Sequence, residues 1–383
     1  MARKTAPSTD YDIAVIGAGA AGLSLGQKLK NQESSVVFIE PRASYINDRT
    51  WCFWDEPNHD LCDITRHSWP EISFEKDGHE LVYKHPHRPY HCIMGKDFYS
   101  YALDKIKRNP QCHLKLDTQV ESIEAIDKRF NILTNDGAIS VRYIVDTRPP
   151  PPGSFKKPFL FQQFAGVEVE TKDRLFDPKI AGLMRHLKAD DNGIGFIYIL
   201  PFSGTNALIE WTRFTPSRLS DDSVQKELEA CLEKISPPKT YKITRHEIAT
   251  IPMGFPKCTP PHKDIFLAGT RGGAVKASTG YAFQRIQRWA YQCAQSIRAT
   301  GRPISHPPDK VMRAWMDKIF LKVLIDQPEL GPTIKMNLVS GLSADQFIRF
   351  MSDDASLKDN LAIIKSQPFW PFTKAAVKDL IGL

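Results

Sequence analysis

The hydrophobic pattern near the start of the chain predicts a strand, a turn, a helix and a second strand. Residues 13–16 are apolar and mostly β-branched, which is typical of a buried parallel strand. An amphipathic run extends from there to Lys30, and a second apolar run at 36–39 ends at Glu40. This order of elements indicates a Rossmann-type α/β unit.

Alternating or short apolar runs predict further strands through the middle of the chain. They lie at 72–74, 80–83, 114–116, 120–126, 130–133, 138–140, 143–146, 159–169, 194–200, 207–214 and 241–251. Helical spacing predicts helices at 97–108, at 223–234 and in most of the chain after about residue 281. Within this C-terminal stretch, a single helical face carries five apolar residues: Met316, Ile319, Phe320, Val323 and Leu324.

The first turn carries a glycine pattern that favours a dinucleotide. Gly17 permits the tight turn, Gly19 lets the backbone approach a pyrophosphate, and Gly22 lets the helix pack closely on the strand. The helix N-terminus offers free N–H groups to phosphates. Glu40, at the end of the second strand, is placed to accept hydrogen bonds from a ribose. The alternative is a glycine-rich turn that binds nothing.

A second glycine-rich loop follows the predicted strand at 264–269, and a helix begins near Tyr281. Gly269, Gly272 and Gly273 would let backbone N–H groups approach a diphosphate and a flavin ring. Two such units far apart in sequence suggest one extended ligand held at both ends. FAD fits this pattern better than NAD does, and the alternative is a close packing site between a helix and its neighbours.

Composition excludes several classes of protein. The chain has 383 residues, enough for two domains or one elaborated domain, and a formal charge of +7. This charge suits an anionic cofactor or membrane surface, whereas the absence of a long Lys/Arg run argues against nucleic-acid binding. Seven cysteines without a C-x-x-C pair indicate reduced thiols in a cytoplasmic protein and no metal site. No window of 18 apolar residues is present to span a membrane.

Several motifs in order resemble those of one family, the lycopene β-cyclases of the bacterial carotenoid pathway. Besides the first glycine turn they are N-D-R-T-W-C-F-W at 47–54, L-P-F-S at 200–203, A-L-I-E-W-T at 207–212, I-P-M-G at 251–254, the loop 269–281, and V-L-I-D-Q-P-E-L at 323–330. The likeness covers nearly the whole chain. Each motif alone is moderately specific, while their order and spacing together are specific.

The resemblance implies a flavoprotein hydroxylase-like fold with a Rossmann-type FAD-binding domain, an inserted antiparallel β substrate domain and a helical C-terminal region. We expect a flexible tail at 1–10, FAD binding by 11–152 and 260–300, a substrate sheet at 153–259, and helices at 301–383. The family binds FAD, uses it reduced, with NAD(P)H as the expected electron donor, and cyclises lycopene through γ-carotene without net redox change. The resemblance also implies that the protein lies peripherally on the inner face of the cell membrane.

Cyclisation requires an acid, and Glu210 is our candidate. The reaction begins when a terminal alkene is protonated to a tertiary cation, which the next double bond attacks before a proton is lost. Glu210 lies in the run Ala-Leu-Ile-Glu-Trp, where burial would raise its pKa and keep it protonated. The family also has its proposed acid in this strand. The alternatives are a surface glutamate or a structural pair with Arg213.

Other residues are candidates for supporting roles. Asp48 is a candidate for assisting catalysis, and Asp146, at a strand end, is a candidate cofactor ligand. Arg49 could pair with flavin or phosphate, or form a surface salt bridge instead. The face of each aromatic ring would stabilise a cation shielded from water by roughly 0.5–2 kcal/mol. The alternative role of each ring is ordinary packing in the core. The aromatic candidates are Trp51, Phe53, Trp54, Tyr198 and Trp211.

Aromatic residues among scattered Lys and Arg in the C-terminal helices suggest an interfacial membrane surface, or alternatively a helical subdomain packed on itself. They are Trp315, Phe320, Phe347, Phe350, Phe369, Trp370 and Phe372.

Two functions other than cyclisation remain open from the sequence. One is an isoprenoid reductase or hydroxylase that consumes NAD(P)H. The other is a non-catalytic flavin- and lipid-binding protein.

Overall fold

The computed structural model describes residues 9–235 and 241–381. The strands are β1 Thr9–Ile16, β2 Val36–Ile39, β3 Thr50–Trp54, β4 Thr65–Trp69, β5 Glu71–Lys76, β6 His79–Lys84, β7 Tyr90–Met94, β8 Cys112–Lys115, β9 Val120–Ile126, β10 Arg129–Thr134, β11 Gly137–Asp146, β12 Phe155–Thr171, β13 Ile180–Asp190, β14 Gly193–Pro201, β15 Asn206–Thr215, β16 Tyr241–Pro256 and β17 Ile265–Leu267. The helices are α1 Ala20–Lys28, α2 Gly95–Lys107, α3 Asp221–Ile235, α4 Phe283–Thr300, α5 Val311–Asp326, α6 Gly331–Ser340, α7 Ala344–Met351, α8 Leu357–Ser366 and α9 Phe369–Leu380.

The first sheet is the nucleotide-binding layer predicted from the sequence. Its order is β8-β2-β1-β11-β10-β9, and β17 also pairs with β11. Strands β8, β2, β1, β11 and β17 are parallel, while β10 and β9 continue the sheet in antiparallel fashion. The carboxyl ends of β1, β11 and β17 therefore meet at one edge, where α/β proteins bind their ligands.

The second sheet is mostly antiparallel, in the order β16-β12-β15-β14-β13-β5-β6. Four of its strands are longer versions of those predicted between 159 and 251. Strand β5 pairs with β13 in parallel and brings β6 with it. Two strands of this sheet thus come from residues 71–84, which precede the predicted start of the substrate domain at 153, and the domain division stays a prediction.

A small third sheet, β3-β7-β4, lies between the other two. Side chains of β3 alternate between its faces, as strand geometry requires. Trp51 and Phe53 pack into the apolar core of the first sheet, whereas Cys52 and Trp54 pack into the core of the second. One five-residue strand therefore forms a wall shared by both cores.

Helices cover both large sheets. Apolar residues of α1, α2 and α4 fill one core against the first sheet, and α3 packs on one face of the second sheet. The C-terminal helices α5 to α8 cover the other face of the second sheet. The predicted apolar face of α5 is confirmed, because Ile319, Val323 and Leu324 are buried and Met316 and Phe320 pack beside them.

The main errors in the secondary-structure prediction are missed strands. We predicted no strand at β3, β4, β7 or β13, and we divided β11 into two. In β13, Met184 and His186 have φ values of 48° and 50°, and its pairing with β14 shifts register around them. Such irregularities break the two-residue alternation by which a strand is recognised in a sequence.

Candidate active site

The first glycine turn has an open backbone at the start of α1. Gly17 has a φ of +93°, and a Cβ atom on Gly22 would lie 2.1 Å from the Gly17 carbonyl oxygen. A Cβ atom on Gly19 would meet only the Arg42 Nη2 atom, at 4.0 Å. Helix α1 has no side-chain cap and no acid in its first turn. Its N–H groups are therefore available to an anion such as a pyrophosphate.

Glu40 supports this turn directly. Its buried carboxylate accepts a hydrogen bond from the Ala18 N–H at 2.7 Å and from Arg42 Nε at 2.8 Å. The Tyr45 hydroxyl donates to the Ala18 carbonyl at 2.8 Å. Glu40 thus lies at the end of β2 as predicted, and in this structure its oxygens hold the fingerprint turn in place.

The second glycine loop lies beside the first. Thr147, directly after β11, donates through Oγ1 to the Gly17 carbonyl at 2.8 Å, and a Cβ atom on Gly269 would lie 3.6 Å from the Thr147 carbonyl oxygen. Gly269 and Gly273 have φ values of +61° and +86°, and Gly272 has no room for a Cβ atom, which would lie 2.6 Å from the Leu267 oxygen. The structure therefore brings together the two loops that the flavin hypothesis requires.

The Asp146 carboxylate forms ion pairs with two arginines next to the two glycine loops. Its carboxylate accepts from Arg148 Nη2 at 2.8 Å and from Arg271 Nη1 at 2.6 Å. Arg49 lies much earlier in the chain, directly before β3, and forms a partly exposed ion pair with Asp48, at 3.7 Å. Asp48 also accepts a hydrogen bond from the Tyr99 hydroxyl at 2.9 Å. Its described side-chain contacts are therefore with Tyr99 and Arg49, and none is with Glu210.

Glu210 lies in a row of residues that crosses four neighbouring strands of the second sheet. Gly166 of β12 pairs with Glu210 of β15 on one side and with Glu247 of β16 on the other. Tyr198 of β14 pairs with Glu210 from the far side. Paired residues project their side chains on the same face, and Gly166 contributes none. The two glutamates therefore flank an open position between them.

The environment of Glu210 favours its protonated form. The residue keeps some accessible surface, but its carboxyl is surrounded by protein, and burial raises its pKa well above the ordinary value. The neighbouring Glu247 raises this pKa further through its charge and a side-chain hydrogen bond. Thr212 Oγ1 donates to Glu210 Oε1 at 2.8 Å, and this hydrogen bond lowers the pKa of Glu210.

Glu247 is held by an ionic network that reaches β3. Its Oε2 accepts from Arg245 Nη1 at 2.6 Å and from the Thr50 hydroxyl at 2.8 Å. Arg245 also contacts Glu168 at 3.5 Å, and Arg66 donates to Glu168 from the other side. Glu247 Oε1 is buried, and no N–H or O–H group of the described residues donates to it.

Tyrosine side chains connect this row to an apolar cavity. The Tyr281 hydroxyl lies 2.8 Å from the Tyr90 hydroxyl, and burial together with the charge of Glu210 raises the pKa of Tyr198. Tyr198 and Tyr281 form part of the wall of a cavity of about 30 Å³ under the C-terminal helices. The rest of its lining is mostly apolar and includes Leu183, Phe196, Phe214, Phe320, Lys335, Leu338, Phe347 and Phe350.

Comparison with known proteins places this chain among related sequences. Residues 12–377 match the family model described as lycopene cyclase protein. The chain belongs to the lycopene cyclase family. This confirms the family resemblance inferred from the motifs.

Two relatives illustrate how far the lycopene cyclase likeness extends. Lycopene beta-cyclase of Pantoea ananas is 24% identical, and the match covers 95% of this chain and 97% of that protein. The chloroplastic lycopene beta cyclase of Solanum lycopersicum is 27% identical over 337 residues, or 80% of this chain. The match spans 64% of the length of that plant protein.

Solved structures confirm the predicted fold class. A flavoprotein/dehydrogenase from Cytophaga hutchinsonii superimposes with a TM-score of 0.64, and the match covers 98% of this chain and all of that one. A geranylgeranyl bacteriochlorophyll reductase-like protein from Thermoplasma acidophilum gives 0.61 with the same coverage. Both are 12% identical to this cyclase-family chain, so the likeness concerns the fold.

Trp211 does not share a face with Glu210, which corrects its prediction as a catalytic partner. It is buried against α3, and its Nε1 donates to Glu227. Arg213 lies on the same side and pairs with Asp190 at 2.5 Å and with Glu227 at 3.0 Å. The alternative pairing of Glu210 with Arg213 is therefore wrong, because successive residues of a strand face opposite sides.

The remaining aromatic candidates divide between the two sides of β3. Trp51 stacks on Phe283 with ring centres 5.4 Å apart, on the side of the first sheet. Phe53 lies 5.3 Å from the same ring. Trp54 lies 5.5 Å from the Tyr281 ring, on the side of the second sheet. Of the five predicted aromatics, Tyr198 and Trp54 are thus on the side that carries Glu210.

Sequence reasoning missed Glu247, Arg245 and Thr50. Glu247 follows two other polar residues in the run Arg-His-Glu, so nothing in the sequence marks it as buried. One available signal was Gly166, because a glycine inside a strand often marks a close approach of neighbouring groups.

Among the described residues, no helix combines the length and the apolar character needed to cross a membrane.

Proposed function

We propose that this protein is a lycopene β-cyclase that converts the open ends of lycopene to β-ionone rings, through γ-carotene to β-carotene. The observation that carries this proposal is the position of Glu210 beside Glu247 and Tyr198, on a face of the second sheet that leads to an apolar cavity. A carboxyl group whose pKa is raised by burial remains able to donate a proton at neutral pH.

In this proposal Glu210 donates its proton to the terminal alkene carbon, and the neighbouring double bond closes the ring on the resulting cation. Glu210, now a carboxylate, is the group available to take up the proton that the ring loses. One proton is delivered and one is recovered, so no electrons are exchanged. Tyr198 and Trp54 present aromatic faces on the same side of the site and would stabilise the cation.

The two glycine loops fit FAD, because Gly19 and Gly273 leave open space and α1 presents uncapped N–H groups. Gly17, Gly22, Gly269 and Gly272 would shape this cradle, with Glu40 near the ribose. Reduced flavin, supplied with electrons by NAD(P)H, would contribute negative charge that favours the cation. Asp146 would act through Arg148 and Arg271. Arg49 would pair with the flavin or with a phosphate. Asp48 would assist only indirectly, through the hydrogen bond that it accepts from Tyr99.

The cavity is smaller than a carotenoid end group. Its walls include Lys335 and Leu338 of α6 and Phe347 and Phe350 of α7, which face the second sheet. Binding would therefore require these two helices to move away from the sheet. The hydrocarbon would arrive from a membrane, and we place the protein peripherally on the inner face of the cell membrane.

The test is expression in cells that accumulate lycopene, with pigments separated and weighed by mass spectrometry. We expect cyclic products of the same mass as lycopene, and no ring formation by Glu210→Gln, which should retain bound FAD. A product two mass units heavier, with stoichiometric loss of NAD(P)H, would indicate the reductase alternative. A Glu210→Gln variant that still forms rings would remove Glu210 from its role. Lycopene returned unchanged by the native protein, with FAD bound, would favour a non-catalytic flavin protein.

A further inference from the structure

The second glutamate of the row, Glu247, takes no part in the proton transfer proposed above. Glu247 and Glu210 come from strands that do not touch each other, and β12 lies between them. They approach because Gly166, at the register position between them, has no side chain. A Cβ atom there would lie 3.2 Å from Glu247 Cγ and 3.3 Å from Glu210 Cβ.

The two oxygens of Glu247 differ in their surroundings. Oε2 accepts two hydrogen bonds, one of them from the Arg245 guanidinium at 2.6 Å, so negative charge is favoured at Glu247. Oε1 is buried without a donor among the described residues. A buried acceptor of this kind is costly unless a donor reaches it. A protonated Glu210 is the neighbouring group that can supply one.

We infer that Glu247 is a positioning residue, whose carboxylate is anchored by Arg245 and Thr50 and accepts through Oε1 the proton-bearing hydroxyl of Glu210. This inference rests on the proposed function and names the group that controls the acid. Two carboxyl groups in contact cannot both ionise without large electrostatic cost, so the reactive proton stays on Glu210. After transfer to the alkene, both carboxylates face the cation and favour it.

The other groups around Glu210 do not replace this function. Thr212 donates to Glu210 and therefore favours its ionised form. Tyr198 and Tyr281 are half-buried, and burial raises the pKa of each hydroxyl, so both stay neutral. A side-chain hydrogen bond with Cys92, together with burial, raises the pKa of Cys52. The charge of Arg245 acts on Glu210 and lowers its pKa, but this guanidinium is already shared by Glu247 and Glu168. Glu247 is therefore the anion beside Glu210 whose charge keeps the proton on Glu210.

The experiment compares Glu247→Gln with Glu247→Asp. In Glu247→Gln the charge is lost, so the alkaline limb of the pH profile for ring formation should move to lower pH. Turnover should fall about tenfold at a pH where the native enzyme is still near its maximum. In Glu247→Asp the charge remains, so the limb should stay close to its native position even if the rate is lower. An alkaline limb that does not move in Glu247→Gln would overturn the inference.

Glu168→Gln is the matched control. It removes a carboxylate from the same Arg245 network without removing the neighbour of Glu210. We expect it to leave the pH profile in place. If Glu168→Gln moves the profile as much as Glu247→Gln does, the effect belongs to the network in general and the specific role of Glu247 is rejected.

Infrared difference spectroscopy tests the pair without turnover. The spectrum of native holoenzyme minus that of Glu210→Gln should contain the C=O stretch of a protonated carboxyl at about pH 7, where an ordinary glutamate is ionised. In the Glu247→Gln background the same difference should lose this band at a lower pH than in the native protein, because burial still raises the pKa of Glu210 but the charge of Glu247 is gone. If the native protein forms no rings but the band is present, the proposed function fails and the pairing stands. If the band is absent from the native protein, or persists to the same pH in Glu247→Gln as in the native protein, the pairing fails.

Discussion

The amine of Lys335 lies 4.5 Å from the centre of the Phe214 ring. A second ring, that of Phe320, lies 5.0 Å from the same amine. Lys335 is buried in the cavity wall, and burial lowers its pKa from 10.5 to about 7. The cavity thus contains a cation whose charge depends on pH within the ordinary working range.

We predict that Lys335→Met stabilises the protein at about pH 7 by about 2–4 kcal/mol, and that the gain shrinks as the pH is raised. Between pH 7 and 10.5 the unfolded chain binds one more proton at this position than the folded chain does. The cost of Lys335 is therefore fully present below about pH 7 and is lost toward pH 10.5. Denaturant unfolding at several pH values measures this trend.

An exposed lysine provides the control for this measurement. Lys226 lies on the solvent side of α3, and Lys226→Met should change the free energy of unfolding by less than about 0.5 kcal/mol at every pH. A gain for Lys335→Met that is the same at pH 7 and at pH 10 would show that packing, and not the charge, is responsible.

Gly166→Ala tests the spacing of the two glutamates. The added methyl group would press on both side chains and separate the carboxyl groups. We expect ring formation to fall roughly ten- to hundredfold, with a loss of stability of about 1–3 kcal/mol. Product analysis, FAD content and thermal unfolding measure the three effects separately. Full turnover by a folded Gly166→Ala variant would contradict the importance of this contact.

Two glycines of the first turn should respond differently to alanine. Gly19→Ala has room for its methyl group and an ordinary φ of −82°, so the protein should fold and lose FAD affinity. Gly22→Ala places a Cβ atom 2.1 Å from a backbone oxygen, so both stability and FAD should be lost. Flavin fluorescence and circular dichroism distinguish these outcomes. Equal loss of fold in the two variants would indicate that Gly19 serves packing and not the ligand.

The C-terminal helices expose fewer aromatic residues than the prediction of an interfacial membrane surface assumed. Phe347 is fully buried, and Trp315, Phe320, Phe350 and Phe372 pack against the core of the second sheet. Phe369 and Trp370 of α9 are 69% and 77% exposed, and α9 also carries Lys374 and Lys378. These four residues suit the headgroup region of an anionic bilayer.

We predict that the double variant Phe369→Ser and Trp370→Ser binds anionic vesicles at least about tenfold more weakly, because each side chain contributes roughly 1.5–3 kcal/mol when buried. Co-sedimentation at two salt concentrations measures this binding. Ile46→Ser is the control, since Ile46 is 68% exposed and lies outside the C-terminal helices. If the control weakens binding as much, α9 is not the contact surface.

Local patterns explain what the sequence could predict. Gly17, Gly19 and Gly22 lie within six positions and determine one turn, so the nucleotide-binding unit was recognisable without any tertiary information. The strand around Glu210 was likewise predicted from its own alternation. That alternation also implies that Glu210 and Trp211 face opposite sides, which is the consequence that the structure now makes explicit.

Long-range register explains what the sequence could not predict. Glu247 meets Glu210 only because β12 pairs with β15 and β16 at the same residue, Gly166. A shift of one residue in either pairing would turn one glutamate to the other face. Nothing within β16 itself specifies that pairing, so Glu247 could be identified only after the sheet was assembled.

The shared wall formed by β3 carries a consequence for sequence change in this region of the chain. Its odd and even positions face different cores, Trp51 that of the first sheet and Cys52 that of the second sheet. Inserting or deleting one residue within 50–54 would exchange the two sets, turning thiol and hydroxyl groups toward the core of the first sheet and an indole toward the side of Glu210. A single substitution here alters one core, whereas a change in length would disrupt both cores together.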